Sequence, residues 1–313
     1  MGRTLKTILV TGCNGFIGGQ LARVAAARGF DVIGLDLIPR PNGTDFLNGY
    51  IQQDLSREDA FLSLKKSIPA NIDAVIHAAG KSSVPGSLED PNSDFMAGPA
   101  ALQKVLEWTR TTNPEAKLLF LSSAAVYGNP RQLPISENTP IRPISPYGYH
   151  KSICEMLGQE YASLYGLKVA HARIFSAYGP GLNRQVVYDL MRRVFDHPKE
   201  LKVYGTGDET RDFMYIDDVI DALLLVLQKG SFQGDAINIA SGNHTTIRAL
   251  AETILRVFRK DISLLSFENT SQPGMPQLWQ ADVSKLSALG FSPVYDIAQG
   301  LQKAKDYFFT EAT

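Results

Sequence analysis

Three scarcities narrow this chain before any motif is read. Only two cysteines occur among 313 residues, Cys13 and Cys154. That is too few for the multi-bridge framework of a small secreted domain, so a reducing, cytoplasmic setting is expected. Charge of one sign is also lacking: 31 Lys and Arg stand against 32 Asp and Glu, which removes the electrostatic case for nucleic acid or an anionic membrane surface as partner. No apolar run reaches the roughly 18 residues of a membrane span, and the start Met1-Gly-Arg-Thr-Leu-Lys6 has no signal-type apolar stretch. The five histidines, at 77, 150, 171, 197 and 244, share no ligand spacing with one another or with the cysteines, so no metal site is predicted.

What is present is more specific. Tyr147-Gly-Tyr-His-Lys151, with the pair Ser122-Ser123 upstream, puts a phenol and an ammonium one helical turn apart on one face. The lysine's positive charge favours the phenolate, so Tyr147 can serve as a base in moving a proton at an alcohol carbon. Taken alone, such a pair is commonplace on helix surfaces. A second motif changes its weight. Thr11-Gly-Cys-Asn-Gly-Phe-Ile-Gly18 follows the apolar run Ile8-Leu-Val10 and precedes a helical stretch from Gln20. Gly12 permits the tight turn, Gly15 lets backbone approach a pyrophosphate and Gly18 lets the helix pack on the sheet. The next strand ends in Asp36, eighteen residues beyond Gly18, where a carboxylate can accept from adenosine ribose hydroxyls and favours NAD over NADP. The alternative for Asp36 is a turn residue before Pro39 and Pro41, and Arg40 leaves some NADP use open.

The length allows one α/β domain with a smaller attached lobe. Strands are predicted at Thr7 to Val10, Asp31 to Leu35, Ala74 to His77, Lys117 to Ser122, Lys168 to Ile174 and Ala236 to Ile239. Helical segments such as Pro99 to Thr111 and Pro146 to Tyr165 lie between them, and the alternation means a doubly wound parallel sheet of Rossmann type. After Tyr178-Gly-Pro-Gly181 the rhythm changes to loops, amphipathic pieces such as Gln185 to Phe195 and turns such as Tyr204 to Glu209. The expected division is a dinucleotide domain over 1–175, with a return around 212–240, and a C-terminal substrate lobe over 176–211 and 241–313.

With these residues placed, the chain resembles the extended short-chain dehydrogenase/reductase family, and within it the nucleotide-sugar epimerases and dehydratases. The resemblance runs through TGCNGFIG (11–18), HAAG (77–80), SSAAVYG (122–128), SPYGYHK (145–151), RIFSAYGPG (173–181), GTGDETRDFMYIDD (205–218) and ADVSKLSALGFSP (281–293). It implies that Tyr147 is the catalytic base and acid, that Lys151 tunes it and bonds the nicotinamide ribose, and that Ser123 bonds the reacting sugar hydroxyl. Gly12, Gly15, Phe16, Ile17 and Gly18 would cradle the NAD diphosphate, Asp36 would hold the adenosine ribose, and Asp54 and Leu55 would border adenine. Ala78, Ala79, Gly80 and Lys81 would line the dinucleotide cleft. Substrate contacts are implied at Ser82, Ser123, Tyr147, Ser176, Val203, Tyr204 and Arg211, with an aromatic face for the base and a guanidinium for phosphate. His77 reads as a packed strand-end residue, His150 as surface, and Asp212, Tyr215 and Asp217 as structural. A homodimer built on the helices at 99–111 and 146–165 is also implied.

Departures from the pattern bear on substrate. Ser176 stands where many relatives have Asn, Gly98 replaces another Asn, and Gln272-Pro-Gly-Met275 replaces a second phosphate-binding Arg. Trp279 falls where relatives carry a smaller residue and is expected to exclude 2-acetamido sugars. Relatives that eliminate water place an acid after the catalytic Ser or Thr, whereas this chain has Ala124 and Ala125. The expected reaction is therefore NAD-dependent 4-epimerisation of a nucleotide-diphosphate sugar through a 4-keto intermediate. The alternative is an NDP-4-keto-6-deoxysugar 4-reductase consuming NAD(P)H.

Overall fold

The alternation of apolar runs and turns becomes an α/β architecture in the computed structural model, which describes residues 5–68, 71–197, 199–268 and 277–309. The chain runs β1 (Thr7–Thr11), α1 (Phe16–Ala27), β2 (Asp31–Asp36), β3 (Gly49–Gln52), α2 (Ala60–Ser67), β4 (Ala74–His77), α3 (Val84–Glu89), α4 (Pro91–Ala97), α5 (Pro99–Thr112), β5 (Lys117–Ser123), a 3-10 turn (Ala124–Tyr127), α6 (Pro146–Tyr165) and β6 (Lys168–Ile174). It continues through β7 (Ser176–Tyr178), α7 (Gln185–Asp196), β8 (Leu201–Val203), β9 (Thr210–Arg211), β10 (Phe213–Tyr215), α8 (Ile216–Lys229) and β11 (Gln233–Ile239). The last elements are β12 (Thr245–Thr246), α9 (Ile247–Val257), β13 (Leu265–Phe267), α10 (Ser284–Ala288) and α11 (Ile297–Phe308).

Seven strands form one sheet in the order β11-β6-β5-β4-β1-β2-β3, and the pairings from β3 across to β6 are parallel. The order reverses between β1 and β4, the point at which doubly wound sheets bind ligands beyond their strand ends. The six predicted strands all occur, while β3 escapes the sequence pattern. Gly49-Tyr-Ile-Gln52 has neither an apolar run nor a clean alternation, and it sits at the sheet edge, where pairing on one side alone suffices. Parallel strands buried on both faces need near-continuous apolar sequence, as in Ile8-Leu9-Val10 and Leu118 to Leu121. One core cluster joins Leu9, Leu35, Val75, Phe120 and Val169 of the sheet to Leu64, Leu102, Leu106 and Trp108 of α2 and α5.

The chain forms two compact units: residues 1–128, 141–174 and 220–237, and residues 129–140, 175–219 and 238–313. The sequence division had assigned 129–140 and 212–219 to the first unit. Ile135 explains the first difference, because its N–H donates to the Gln280 carbonyl at 2.7 Å and its carbonyl accepts from Asp282 N at 2.9 Å. Such a long-range exchange leaves no local pattern. No helix among the described residues is long and apolar enough to cross a membrane, and no cluster of three His, Cys, Asp or Glu among them could hold a metal ion.

Candidate active site

In the first unit, β1 runs into a turn whose Gly12 has φ 68°, and a Cβ there would lie 2.7 Å from Ala79 N. A Cβ on Gly18 would lie 2.2 Å from the Gly12 carbonyl oxygen. The backbone after β1 and β4 therefore closes down on itself, as a diphosphate cradle requires. Gly15 caps α1 without any side-chain bond, so the N–H groups opening the helix at Phe16 and Ile17 have no capping side chain and suit a phosphate.

Asp36 ends β2 and its Oδ2 accepts from Asn14 N at 2.9 Å, fastening the Gly-rich turn to the second strand. It is thus tied to the Gly-rich turn as well as standing before Pro39 and Pro41. Arg40 spends its guanidinium on its own loop, at Thr44 O (2.8 Å) and Leu47 O (3.3 Å), so it is not aimed at a ribose 2′-phosphate. Asp54 accepts from both the N–H and the hydroxyl of Ser56 at 2.9 and 2.6 Å, bonds that hold its carboxyl below the usual range, while Leu55 is buried in the core. Beyond β4, Ala78 N and Ala79 N bond Thr11 O and Thr11 Oγ1 at 3.1 and 3.3 Å. Gly80 takes φ 140°, Lys81 Nζ donates to Ser93 at 2.6 Å, and Ser82 is exposed.

The proton-transfer candidates gather on β5 and α6. Ser145 caps α6 by accepting from Gly148 N at 3.2 Å, with Pro146 at the first helical position, the arrangement that starts a helix most decisively. Tyr147 N–H, otherwise unpaired in the first turn, donates to Ser87 Oγ at 3.1 Å. Lys151 Nζ donates to Leu121 O at 2.7 Å, lies 4.7 Å from the Phe120 ring centroid and 5.8 Å from that of Tyr147. The lysine is thus held against β5 and beside the phenol. A Cβ on Gly148 would lie 2.6 Å from the Ala125 carbonyl oxygen, so α6 begins tight against the turn that follows Ser123.

The two serines separate by their partners. Ser122 Oγ donates to Glu155 Oε1 at 2.6 Å, inside a buried cluster where Arg173 holds both Glu155 oxygens and reaches Tyr127 Oη at 2.8 Å. Ser123 Oγ accepts from Ala125 N at 3.2 Å, and its own hydrogen has no acceptor among the described residues. Of the two, Ser123 is the hydroxyl not committed to a carboxylate. His77 is fully buried against Thr11 Oγ1 at 2.8 Å, and burial pushes its pKa down to about 3, with the Lys151 charge adding to the effect. His77 is thus packed at its strand end, and its burial favours the neutral imidazole.

His150 departs from its surface reading. Its Nδ1 lies 2.6 Å from Asp94 Oδ2, with side chains only 15% and 4% exposed. Nothing in the spacing 94 to 150 signals this pair, and Ser87, Glu155 and Arg173 escaped the sequence reading for the same reason: their partners are distant in the chain.

In the second unit, Ser176 opens β7 and bonds Asp212 O through its N–H at 3.0 Å. Val203 is buried, whereas Tyr204 is 51% exposed with the Arg193 guanidinium 4.7 Å from its ring centroid. Arg211 donates to Thr210 O at 2.8 Å, reaches Gln277 O at 3.4 Å, and lies 5.6 Å from the Trp279 ring centroid. It forms no ion pair among the described residues, and desolvation, partly opposed by Glu209, pulls its pKa down to about 10. Burying a charge is costly unless it is paired, and the guanidinium is bonded here to backbone carbonyls, with Glu209 as the neighbouring carboxylate. Asp212 is structural, accepting from Ser241 N and Oγ and from Gly242 N at 2.7 to 3.0 Å, with burial raising its pKa to about 6. Gly98 joins α4 to α5. Gln272 lies outside the described residues.

Residues 8–240 match the NAD dependent epimerase/dehydratase family. The chain belongs to that family. It is accordingly an NAD-dependent enzyme of the epimerase class on a Rossmann-type fold. Among its relatives are a putative UDP-glucose 4-epimerase of Methanocaldococcus jannaschii, 29% identical over 96% of this chain and 97% of that one, and a UDP-glucose 4-epimerase of Mycolicibacterium smegmatis, 26% identical over 96% and 97%. Among solved structures, the UDP-glucuronic acid 4-epimerase of Bacillus cereus, in complex with UDP-glucuronic acid and NAD, superposes with a TM-score of 0.84, 28% identity and coverage of 96% and 98%.

Proposed function

We propose that the enzyme interconverts the C4 epimers of a nucleotide-diphosphate sugar. The observation that carries this reading is the grouping of Tyr147 and Lys151 on α6, beside a β5 end where Ser123 keeps a free hydroxyl and the next side chains, Ala124 and Ala125, are only methyl groups. Bound NAD supplies the hydride acceptor and donor. The chain's own residues manage the proton and the geometry. Tyr147 takes the C4 hydroxyl proton and returns it to the keto oxygen once the sugar has turned its other face. Ser123 donates a hydrogen bond to that oxygen, and Lys151 keeps positive charge beside the phenol and bonds the nicotinamide ribose. Elimination needs a second acid or base near the reacting carbons, and Ala124 and Ala125 supply none.

The second unit serves the nucleotide. The exposed Tyr204 ring stacks on the base and Arg211 binds the diphosphate; Ser176 adds a short polar contact. Since the oxidation is reversed within each cycle, turnover needs no added cofactor. Incubation with UDP-, dTDP-, GDP- and CDP-hexoses without added cofactor, followed by NMR of the C4 proton, is expected to reveal an epimer of one donor. Stoichiometric consumption of NADH or NADPH with 4-keto-6-deoxy sugars, and no epimer from any hexose, would assign the 4-reductase instead.

A further inference from the structure

We propose that Asp94 and His150 form a positioning pair that sets the rotation of α6 and thereby the placement of Tyr147 and Lys151. The inference rests on the catalytic reading of that pair. A carboxylate offers only acceptors, so the imidazole Nδ1 carries the hydrogen in the 2.6 Å contact with Asp94 Oδ2. Both side chains are nearly buried, which strengthens the bond and makes its loss costly. Phe95 meets the imidazole edge-on, with centroids 5.5 Å apart, so the ring is fixed in plane as well as at one nitrogen.

Position matters as much as strength. His150 immediately precedes Lys151 and follows Tyr147 by three residues, so it projects from the adjacent face of the same turn. Ser145 and Ser87 bond the backbone of that turn at Gly148 N and Tyr147 N. Those bonds hold the backbone of the turn, and Lys151 and Glu155 tie the helix to β5 through Leu121 O and Ser122; His150 adds the hold toward α4. A side chain held from the side restrains rotation directly. With side-chain tips about 6 Å from a helix axis, a turn of about 10° moves a tip by about 1 Å, and a misplacement of that size costs about a hundredfold in rate. The brace also reaches the cofactor side of the fold, because Ser93 of α4 accepts from Lys81 Nζ at 2.6 Å and α4 ends against Gly80, whose added Cβ would lie 3.4 Å from Ala97 O.

The test compares His150→Phe, which keeps the ring and its Phe95 contact but removes the donor, with His150→Asn, whose amide can present an N–H near the Nδ1 position. Steady-state kinetics on the epimerised donor should give His150→Phe a kcat lower by about ten- to a hundredfold with KM and bound NAD unchanged, and His150→Asn within a few-fold of the parent. Hydrogen exchange over residues 145–152, which needs no substrate, should accelerate in His150→Phe and stay near parental in His150→Asn. Equal behaviour of the two variants, or parental kcat and exchange in His150→Phe, would overturn the pair's role. An inactive parent with accelerated exchange in His150→Phe would overturn the 4-epimerase reading and leave the brace standing. Should His150→Phe not fold, the isosteric Asp94→Asn is expected to lower kcat several-fold at constant KM, and parental kinetics in that variant would overturn the proposal.

Discussion

Individual side chains divide into those committed to neighbours and those left for a ligand. Ser122 and Ser123 are chemically identical and adjacent, yet one is tied to Glu155 and the other has a hydrogen without an acceptor among the described residues. Tyr147→Phe removes the ionisable hydroxyl alone, so kcat should fall by about 10² to 10⁴ while the purified protein retains its NAD by absorbance. Arg211→Gln removes the cation offered to the diphosphate; a charged hydrogen bond of about 1.5–3 kcal/mol corresponds to a KM raised by roughly ten- to a hundredfold, and initial-rate measurements check it. Two buried histidines set the acid response. Burial lowers His77 to about 3 and His171 to about 4, against an ordinary 6.5. Below pH 6.5 the unfolded chain takes up two protons that the native state refuses, so their stabilising contribution, present above 6.5, is lost as pH falls. Asp212, raised from 3.8 to about 6, acts in the opposite sense below pH 6 because its native state holds the extra proton. Between pH 6 and 5 these three groups together cost about one proton, about 1.4 kcal/mol per pH unit, and below pH 5 carboxylates held low in the native state, such as Asp54, add to the loss. Urea melts at pH 6 and pH 5 that share one midpoint would contradict this account.

At the scale of elements, α6 carries both proton-transfer candidates, Tyr147 and Lys151. Its start is legible in Ser145-Pro146, and its end in Gly166, which closes the helix in the left-handed conformation with φ 68°. Its depth of packing is not legible, because it depends on Gly148 meeting the Ala125 carbonyl across the fold. Gly148→Ala must push α6 from the turn after Ser123, at an overpacking cost of about 1–3 kcal/mol, and kcat is expected to fall more than stability alone explains. Glu155→Gln tests the buried cluster beneath. Removing the carboxylate charge breaks a buried ion pair, a loss of about 3–5 kcal/mol, read as a lower urea midpoint. The strand β3 shows the limit at this scale: four residues at an edge need no strong pattern, since the neighbouring β2 supplies the order.

For the whole molecule, α6 leaves Met156, Leu164 and Tyr165 exposed, and α5 packs beside it around Tyr161, whose hydroxyl donates to Glu107 at 3.2 Å. We expect these two helices to pair with a second copy about a two-fold axis, giving a dimer by light scattering at micromolar concentration. A monomer mass there would contradict it.

The order of apolar runs, the Gly-rich turn followed by a carboxylate at Asp36, and the four-residue spacing of Tyr147 and Lys151 are local facts, and each determines its element or its chemistry through rules that act within a few residues. From the sequence alone came the parallel sheet, the Gly-rich turn and the candidates for the proton-transfer pair. The rest required distant chain segments to meet: Ser87 taking the Tyr147 N–H, Asp94 holding His150, Glu155 claiming Ser122 and thereby releasing Ser123, and residues 129–140 joining the second unit through Ile135. Hydrogen bonds between residues tens of positions apart leave no periodicity to read, and the burial that makes them strong exists only once the chain has folded.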